Sequence, residues 1–242
     1  MLRLFSAVFV SLAVLAAPTA AQELDDSGRP LPQNLVLGLD MSASNPLVDN
    51  PNFASKVADR VRPLIEDLPI RSEVRLRTFG SYNSSANHLR LDRKLSIKQR
   101  PEDVAELIGT IIAGIPTLVK DGKLKTHQRT NILAFLETME KVTDCSAMPT
   151  TVILVTDGVE ESTYADLRIR STRGKTPPQE EGETWAHFLP KPGRDFRSCR
   201  ELQMLGLGFG QDNPAYTAFL QDEWGAWAKK AGFKQYTGLY DW

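Results

Sequence analysis

The 242-residue chain is poor in cysteine and histidine and has no block of like charge. Two cysteines are too few for a disulfide scaffold, and they lack the CxxC spacing of a zinc site. The 29 basic residues nearly balance the 30 acidic ones, which argues against nucleic acid as a partner. What remains, 41% hydrophobic and 24% charged residues, is typical of a globular protein with a well-buried core.

The first 21 residues have the pattern of a secretory signal. Met1-Leu2-Arg3 is a short basic start, an apolar run from Leu4 to Ala17 follows, and small residues lie around Ala21. The apolar run is short for a membrane span, and no other stretch is longer. We therefore expect cleavage near Ala21, a flexible segment over residues 22–31, no membrane span in the mature chain, and a periplasmic or secreted location.

Strand and helix patterns alternate through the rest of the chain, which predicts one α/β domain over residues 32–242 with a mostly parallel sheet. A long insertion at about 159–200 is rich in proline, glycine and charge. The predicted strands cover residues 35–39, 74–79, 89–97, 151–156, 202–208 and 233–240, and the predicted helices begin near Phe53, Pro101, Thr130 and Pro214.

Three polar segments fall where predicted strands end or a helix begins. Asp40, Ser42 and Ser44 follow the first strand, Thr130 opens a helix, and Asp157 follows a later strand. Parallel strands bring such segments to the edge where α/β folds bind ligands. Two carboxylates and three hydroxyls suit Mg²⁺ or Mn²⁺, with Ca²⁺ the poorer match. Since hydroxyls are neutral, the ion would retain affinity for an Asp or Glu of another protein.

These three segments, DMSAS, RTN and VTDG, resemble the loops of a von Willebrand factor A (vWA) domain, and the resemblance covers about residues 32–242. In that family the loops form a metal-ion-dependent adhesion site. The resemblance implies a three-layer, Rossmann-like fold with helices on both faces of a sheet of order 3-2-1-4-5-6, which has one antiparallel edge strand. It also implies that Ser42, Ser44 and Thr130 bind the metal directly, and that Asp40 and Asp157 bind it mostly through water.

Two features depart from the family pattern. Arg129 stands where glycine often precedes the threonine, and it would either repel the cation or pair with an incoming carboxylate. Asn45-Pro46-Leu47 also differs from the usual run. Each motif has a simpler interpretation, since the serines can cap a turn and Asp157-Gly158 can be an ordinary turn.

The sequence thus predicts an exported binding module, not an enzyme, that uses the metal to capture an acidic residue of a partner protein in assembly or scaffolding. A metal-assisted hydrolase would use the same ion to activate water, with Glu160, Glu161 or His127 as the base. A third interpretation is a metal-independent structural domain of the same fold.

The two cysteines precede neighbouring predicted strands. Cys145 and Cys199 would therefore lie at the same edge of the sheet, and export would permit their oxidation. We expect a Cys145–Cys199 disulfide around the long insertion, and the alternative is a pair of buried free thiols.

Overall fold

The computed structural model describes residues 24–81, 89–168, 188–211 and 213–242. The predicted signal sequence lies outside these residues. Residues 24–31 belong to a unit distinct from Pro32–Trp242 and contain a turn in which Asp25 Oδ1 accepts from the Ser27 and Arg29 amides at 3.0 Å. Among the described residues, no helix has the length and apolar character needed to cross a membrane.

Among the residues that the structure describes, a single six-stranded sheet lies at the centre of Pro32–Trp242. Its strands are β1 (Asn34–Asp40), β2 (Glu73–Phe79), β3 (Arg90–Lys94), β4 (Thr150–Val155), β5 (Glu201–Leu205) and β6 (Gln235–Leu239). The order is β3-β2-β1-β4-β5-β6, and all neighbours are parallel except β2 and β3. Strand order and antiparallel edge strand both confirm the predicted fold.

In the described part of the chain, four α-helices cover the two faces of this sheet. They are α1 (Pro51–Glu66), α2 (Pro101–Lys120), α3 (Ile132–Val142) and α4 (Pro214–Ala231). Three of them begin with proline, whose fixed φ favours a first helical position. The side chains of Asn50 and Asn213 accept from amides in the first turns of α1 and α4. Gly232 ends α4 with a left-handed φ of 100°.

The central strand β1 is buried on both faces, as its continuous apolar run predicts. Leu35, Leu37 and Leu39 pack with α1 and α2, whereas Val36 packs with α3 and α4. A Cβ at position 38 would lie 2.7 Å from the ring of Phe135 on α3, so a glycine there lets the helix approach the strand. The result is a three-layer α/β domain.

Several predicted elements differ from those observed, and β5, for example, ends at Leu205 instead of residue 208. The antiparallel strand β3 ends at Lys94, short of the predicted end at residue 97, because Leu95 turns into the core beside α1 and α2. Helix α3 begins at Ile132 and leaves Thr130 in the preceding loop. This difference leaves the Thr130 side chain outside the regular helix.

Cys145 and Cys199 form a disulfide with Cα atoms 4.9 Å apart, which confirms the predicted pair. The bond joins the segment before β4 to the segment before β5, across 54 residues of sequence. It therefore closes a covalent loop around the long insertion between these neighbouring strands.

Candidate metal centre

Three loops meet at the carboxyl edge of the sheet, and we call them loop 1 (residues 40–45), loop 2 (residues 127–131) and loop 3 (residues 156–161). Loop 1 starts at the last residue of β1, loop 3 follows β4, and loop 2 leads into α3. Because β1 and β4 are parallel neighbours, loops 1 and 3 leave the sheet side by side.

Loops 1 and 2 are joined through their main chains. The His127 amide donates to the Met41 carbonyl at 2.8 Å, and the His127 carbonyl accepts from the Ala43 amide at 2.9 Å. These bonds flank Ser42, which forms an isolated parallel bridge with His127. The predicted ligands of loop 1 are thereby held beside the loop that carries Thr130.

Loops 1 and 3 are joined through side chains. The Thr156 hydroxyl donates to Asp40 Oδ2 at 2.7 Å, and the Ser44 side chain lies near enough to Asp157 to lower the pKa of that carboxyl. The fully buried Asn45 amide donates to the carbonyls of Asp40 and Val155, at 2.9 and 3.0 Å. One asparagine thus ties the ends of β1 and β4 together.

Loops 2 and 3 are joined around the start of α3. The Glu161 amide donates to the Thr130 carbonyl at 2.9 Å. Glu160 Oε2 accepts from the amides of Ile132 and Leu133, at 2.7 and 3.3 Å. The N-cap residue of α3, Asn131, makes no side-chain hydrogen bond to the first turn of the helix. Glu160 therefore takes its place as the acceptor for these first-turn amides.

The structure brings the five predicted ligand residues onto these linked loops. Asp40, Ser42, Thr130 and Asp157 are buried, and Ser44 is exposed. The Ser42 and Ser44 hydroxyls lie 3.4 Å apart, and the Ser42 amide donates to Asp40 Oδ1 at 2.8 Å. The four buried side chains all end in oxygen atoms. The exposed Ser44 marks the side of the site that is open to solvent.

The two carboxylates are electrostatically unfavourable as they stand. Burial, with the nearby Asp157 carboxylate, raises the pKa of Asp40 to about 8, and burial raises the pKa of Asp157. Among the described residues, no lysine or arginine contributes to either pKa. A bound dication would supply the missing positive charge.

The donor set fits a hard cation held partly by hydroxyls. Within the described part of the chain, no group of three or more His, Cys, Asp or Glu side chains could hold a metal. A cation at the site loops would therefore depend on the serine and threonine oxygens as well as on two carboxylates, which is the chemistry of Mg²⁺ or Mn²⁺.

The positive charge of Arg129 is partly offset within the site. Its Nε lies 3.8 Å from Glu161 Oε1, and the same oxygen is 2.8 Å from Arg168 Nη1. The Arg129 side chain is 66% exposed. Glu161 thus holds two arginines at the rim, which reduces any repulsion of a cation by Arg129.

Sequence reasoning missed three residues of this site. Asn45 was visible only as a departure from the family pattern, and Thr156 only as part of VTDG. Glu160, considered as a base, instead caps α3 from another segment of the chain. A cap supplied from 28 residues away leaves no local sequence signal, unlike a capping box.

No protein-family model and no curated protein matches the chain. The solved structures that resemble it distantly include one mussel protein and one bacterial protein. One is the proximal thread matrix protein 1 of the mussel byssus, with 17% identity, a TM-score of 0.36 and coverage of 59% of this chain. The other is the pilus adhesin SpaC of Lactobacillus rhamnosus GG, with 13% identity, a TM-score of 0.46 and coverage of 91% of this chain. The matches span 34% and 29% of those chains.

Proposed function

We propose that the chain is an exported, vWA-like binding module that captures an acidic residue of a partner protein through a divalent cation at the three site loops. The hydroxyls of Ser42, Ser44 and Thr130 would hold Mg²⁺ or Mn²⁺. Asp40 and Asp157 would balance its charge, mostly through water. No catalytic turnover is part of this role.

The buried Asp40–Asp157 pair is the observation that carries the proposal. Two carboxylates with relative exposures of 0% and 1% lie close enough that one raises the pKa of the other. Burying like charges together is unfavourable unless a counter-charge or proton is present. Such an arrangement is typical of a functional site and costs the metal-free fold stability.

The charge of the donor set explains why the ion would bind a further carboxylate. Neutral hydroxyls leave the two aspartates as the only anionic donors, so a dication is barely neutralised. Ser44 is exposed, which gives a partner access to this side of the site. An Asp or Glu side chain from another protein would complete the shell, and this mode of capture suits assembly or scaffolding.

The contacts of the two glutamates among the three candidate bases favour binding over hydrolysis. Glu160 Oε2 is engaged by two helix amides, and Glu161 is engaged by Arg129 and Arg168. General-base catalysis requires a basic side chain positioned to take a proton from water. If Glu160→Gln abolished a turnover without affecting metal binding, the hydrolase would replace the binding module.

An exported location is part of the proposal. The Cys145–Cys199 disulfide supports it, since such bonds persist mainly in oxidising compartments. The apolar amino-terminal segment of the sequence supports export to the periplasm or beyond.

Affinity capture tests the proposed function. The immobilised chain is incubated with extracts of its own source in Mg²⁺ or in chelator, next to an Asp40→Ala variant in Mg²⁺. Asp49→Ala is the matched control, because Asp49 is an exposed carboxylate close to loop 1. We expect a protein that is retained by the wild type and the control in Mg²⁺ and lost in the other two arms. The same protein in every arm would instead indicate a metal-independent structural domain.

A further inference from the structure

One part of the sheet is left open on the α3 side. Here β2 presents Arg75, Arg77 and Phe79, since alternate residues of a strand share a face. A cavity of about 280 Å³ lies between the β2–β3 hairpin and α3. It is lined by residues of both strands and by one flank of the helix, and it approaches the size range of small-ligand pockets.

One end of this cavity is apolar. The rings of Phe79 and Phe135 stack with centroids 4.7 Å apart and planes 26° apart. Ala134 and Met139 of α3 line the same space. These groups offer a flat aromatic and aliphatic wall to the non-polar part of a ligand.

The other end of the cavity is polar and incompletely satisfied. Arg75 Nη1 donates to the Val142 carbonyl at 2.6 Å, and Nη2 donates to Glu73 at 2.8 Å. These two bonds fix the guanidinium, and its other N–H groups remain to bind a ligand. Thr143 follows Val142 in the chain. Its hydroxyl is buried and has no hydrogen-bond partner among the described residues. A buried hydroxyl without a partner is unfavourable and calls for a ligand atom.

The walls between the two ends are basic. Arg77 and Arg90 line the cavity with Arg75, and two carboxylates, Glu73 and Asp92, lie among them. Three guanidinium groups against two carboxylates leave one net positive charge. This balance matches a ligand that carries a single negative charge.

We propose that this cavity, which borders loop 2 at Asn131 but is lined by none of the five proposed metal ligands, binds a small amphipathic anion with an apolar body and one terminal carboxylate. Arg75 and Thr143 hold the carboxylate, and the body lies against Phe79 and Phe135. Arg75 and Phe79 are four positions apart on β2, which gives a length of about 13 Å. A medium-chain fatty acid has the required shape and charge.

Calorimetric titration of the full chain with decanoate, below its micelle concentration, tests the proposal. Decan-1-ol is the matched ligand, because it has the same apolar body without the charge. We expect decanoate to bind with one site per chain and decan-1-ol to bind at least tenfold more weakly. Absence of decanoate binding, or equal binding of the two compounds, would overturn the proposal.

Three variants locate the bound molecule. Arg75→Gln removes the guanidinium, and Ala134→Phe fills the apolar end; each should weaken decanoate binding at least tenfold. Arg93→Gln is the control, since Arg93 pairs with Val74 in register and thus lies on the opposite face of β3. We expect its affinity to equal that of the wild type. If the Arg75 variant fails to fold, the Ala134 and Arg93 variants still decide the matter.

Thr143→Val tests whether the threonine hydroxyl contacts the ligand or has a purely structural role. The substitution removes a buried hydroxyl without changing the shape of the side chain. We expect a higher melting temperature for the free protein together with several-fold weaker decanoate binding. A variant with unchanged affinity would show that the hydroxyl does not contact the ligand and would contradict the placement of the carboxylate.

Discussion

At the scale of single residues, Asp40 has the most direct effect on the proposed metal site. Its carboxylate is fully buried and accepts from the Ser42 amide and the Thr156 hydroxyl. Burial and the nearby Asp157 carboxylate nevertheless oppose its ionisation, and the pKa of Asp40 rises to about 8. Because the folded chain holds this proton more tightly than the unfolded chain, the metal-free fold loses stability as the pH rises towards 8.

Asp40→Asn should therefore stabilise the metal-free chain while removing its response to metal. The amide keeps the hydrogen-bonding capacity of the side chain and cannot become charged. At about pH 9 in chelator, urea unfolding should give a free energy of unfolding at least about 1 kcal/mol above wild type. Added Mg²⁺ should stabilise the wild type and leave the variant unchanged. Asp49→Asn is the control, and an equal Mg²⁺ response in both variants would count against the site.

Glu160, the residue that caps α3, makes a second pH-dependent contribution, which arises from the burial of its carboxyl. Burial raises its pKa from the ordinary 4.5 to about 7. The stability linked to its proton is present below pH 4.5 and is lost as the pH rises to about 7, at about 1.4 kcal/mol per unit. Glu160→Gln should remove this loss, about 3 kcal/mol in total, and still accept from Ile132. Chemical unfolding across this pH range measures the difference, and parallel curves for the two proteins would show that burial does not raise the pKa of Glu160.

At the scale of elements, Asn45 links two strands. Its side chain donates to the carbonyls of Asp40 and Val155 and accepts from the Leu47 amide. Asn45→Ala leaves these buried backbone groups without partners, so the free energy of unfolding should fall by about 2–4 kcal/mol. Urea unfolding measures the loss, with Asn50→Ala at the start of α1 as a less buried control. A loss no larger than that of the control would show that the two strand ends are held by other contacts.

The disulfide acts on the elements that flank the insertion. In the chain-entropy model, a disulfide that closes a loop of 54 residues lowers the conformational entropy of the unfolded chain. The folded protein is thereby stabilised by about 4 kcal/mol. A Cys145→Ser, Cys199→Ser double variant should unfold at a correspondingly lower urea concentration. Reductant should lower the stability of the wild type to that of the variant and leave the variant unaffected. A wild type that is insensitive to reductant under denaturing conditions would contradict this account.

Much of the element pattern could be predicted from the sequence because its signals are local. The apolar run of β1 predicted a strand buried on both faces, and proline marked the starts of α2 and α4. The end of β3 was wrong by three residues, since the turn of Leu95 into the core depends on tertiary contacts. Element ends that are set by packing are beyond a periodicity argument.

At the scale of the whole molecule, the candidate site is assembled from distant parts of the chain. Ligand types and their order along the sequence were available from DMSAS, RTN and VTDG. The bonds that join the loops were not, because Asn45 reaches Val155 and Glu160 reaches Ile132 only in the folded chain. The resemblance to vWA domains therefore remains a proposal about function, whereas the sheet order is a property of the structure.

The most direct test of the central claim is a crystal of the chain grown with Mn²⁺, measured at a wavelength where manganese scatters anomalously. We expect an anomalous peak among the hydroxyls of Ser42, Ser44 and Thr130, with Asp40 and Asp157 close by. We also expect a carboxylate from a neighbouring molecule or the buffer as a further ligand. An ordered site with no manganese peak, in a crystal where Mn²⁺ binds elsewhere, would contradict the metal-dependent mechanism.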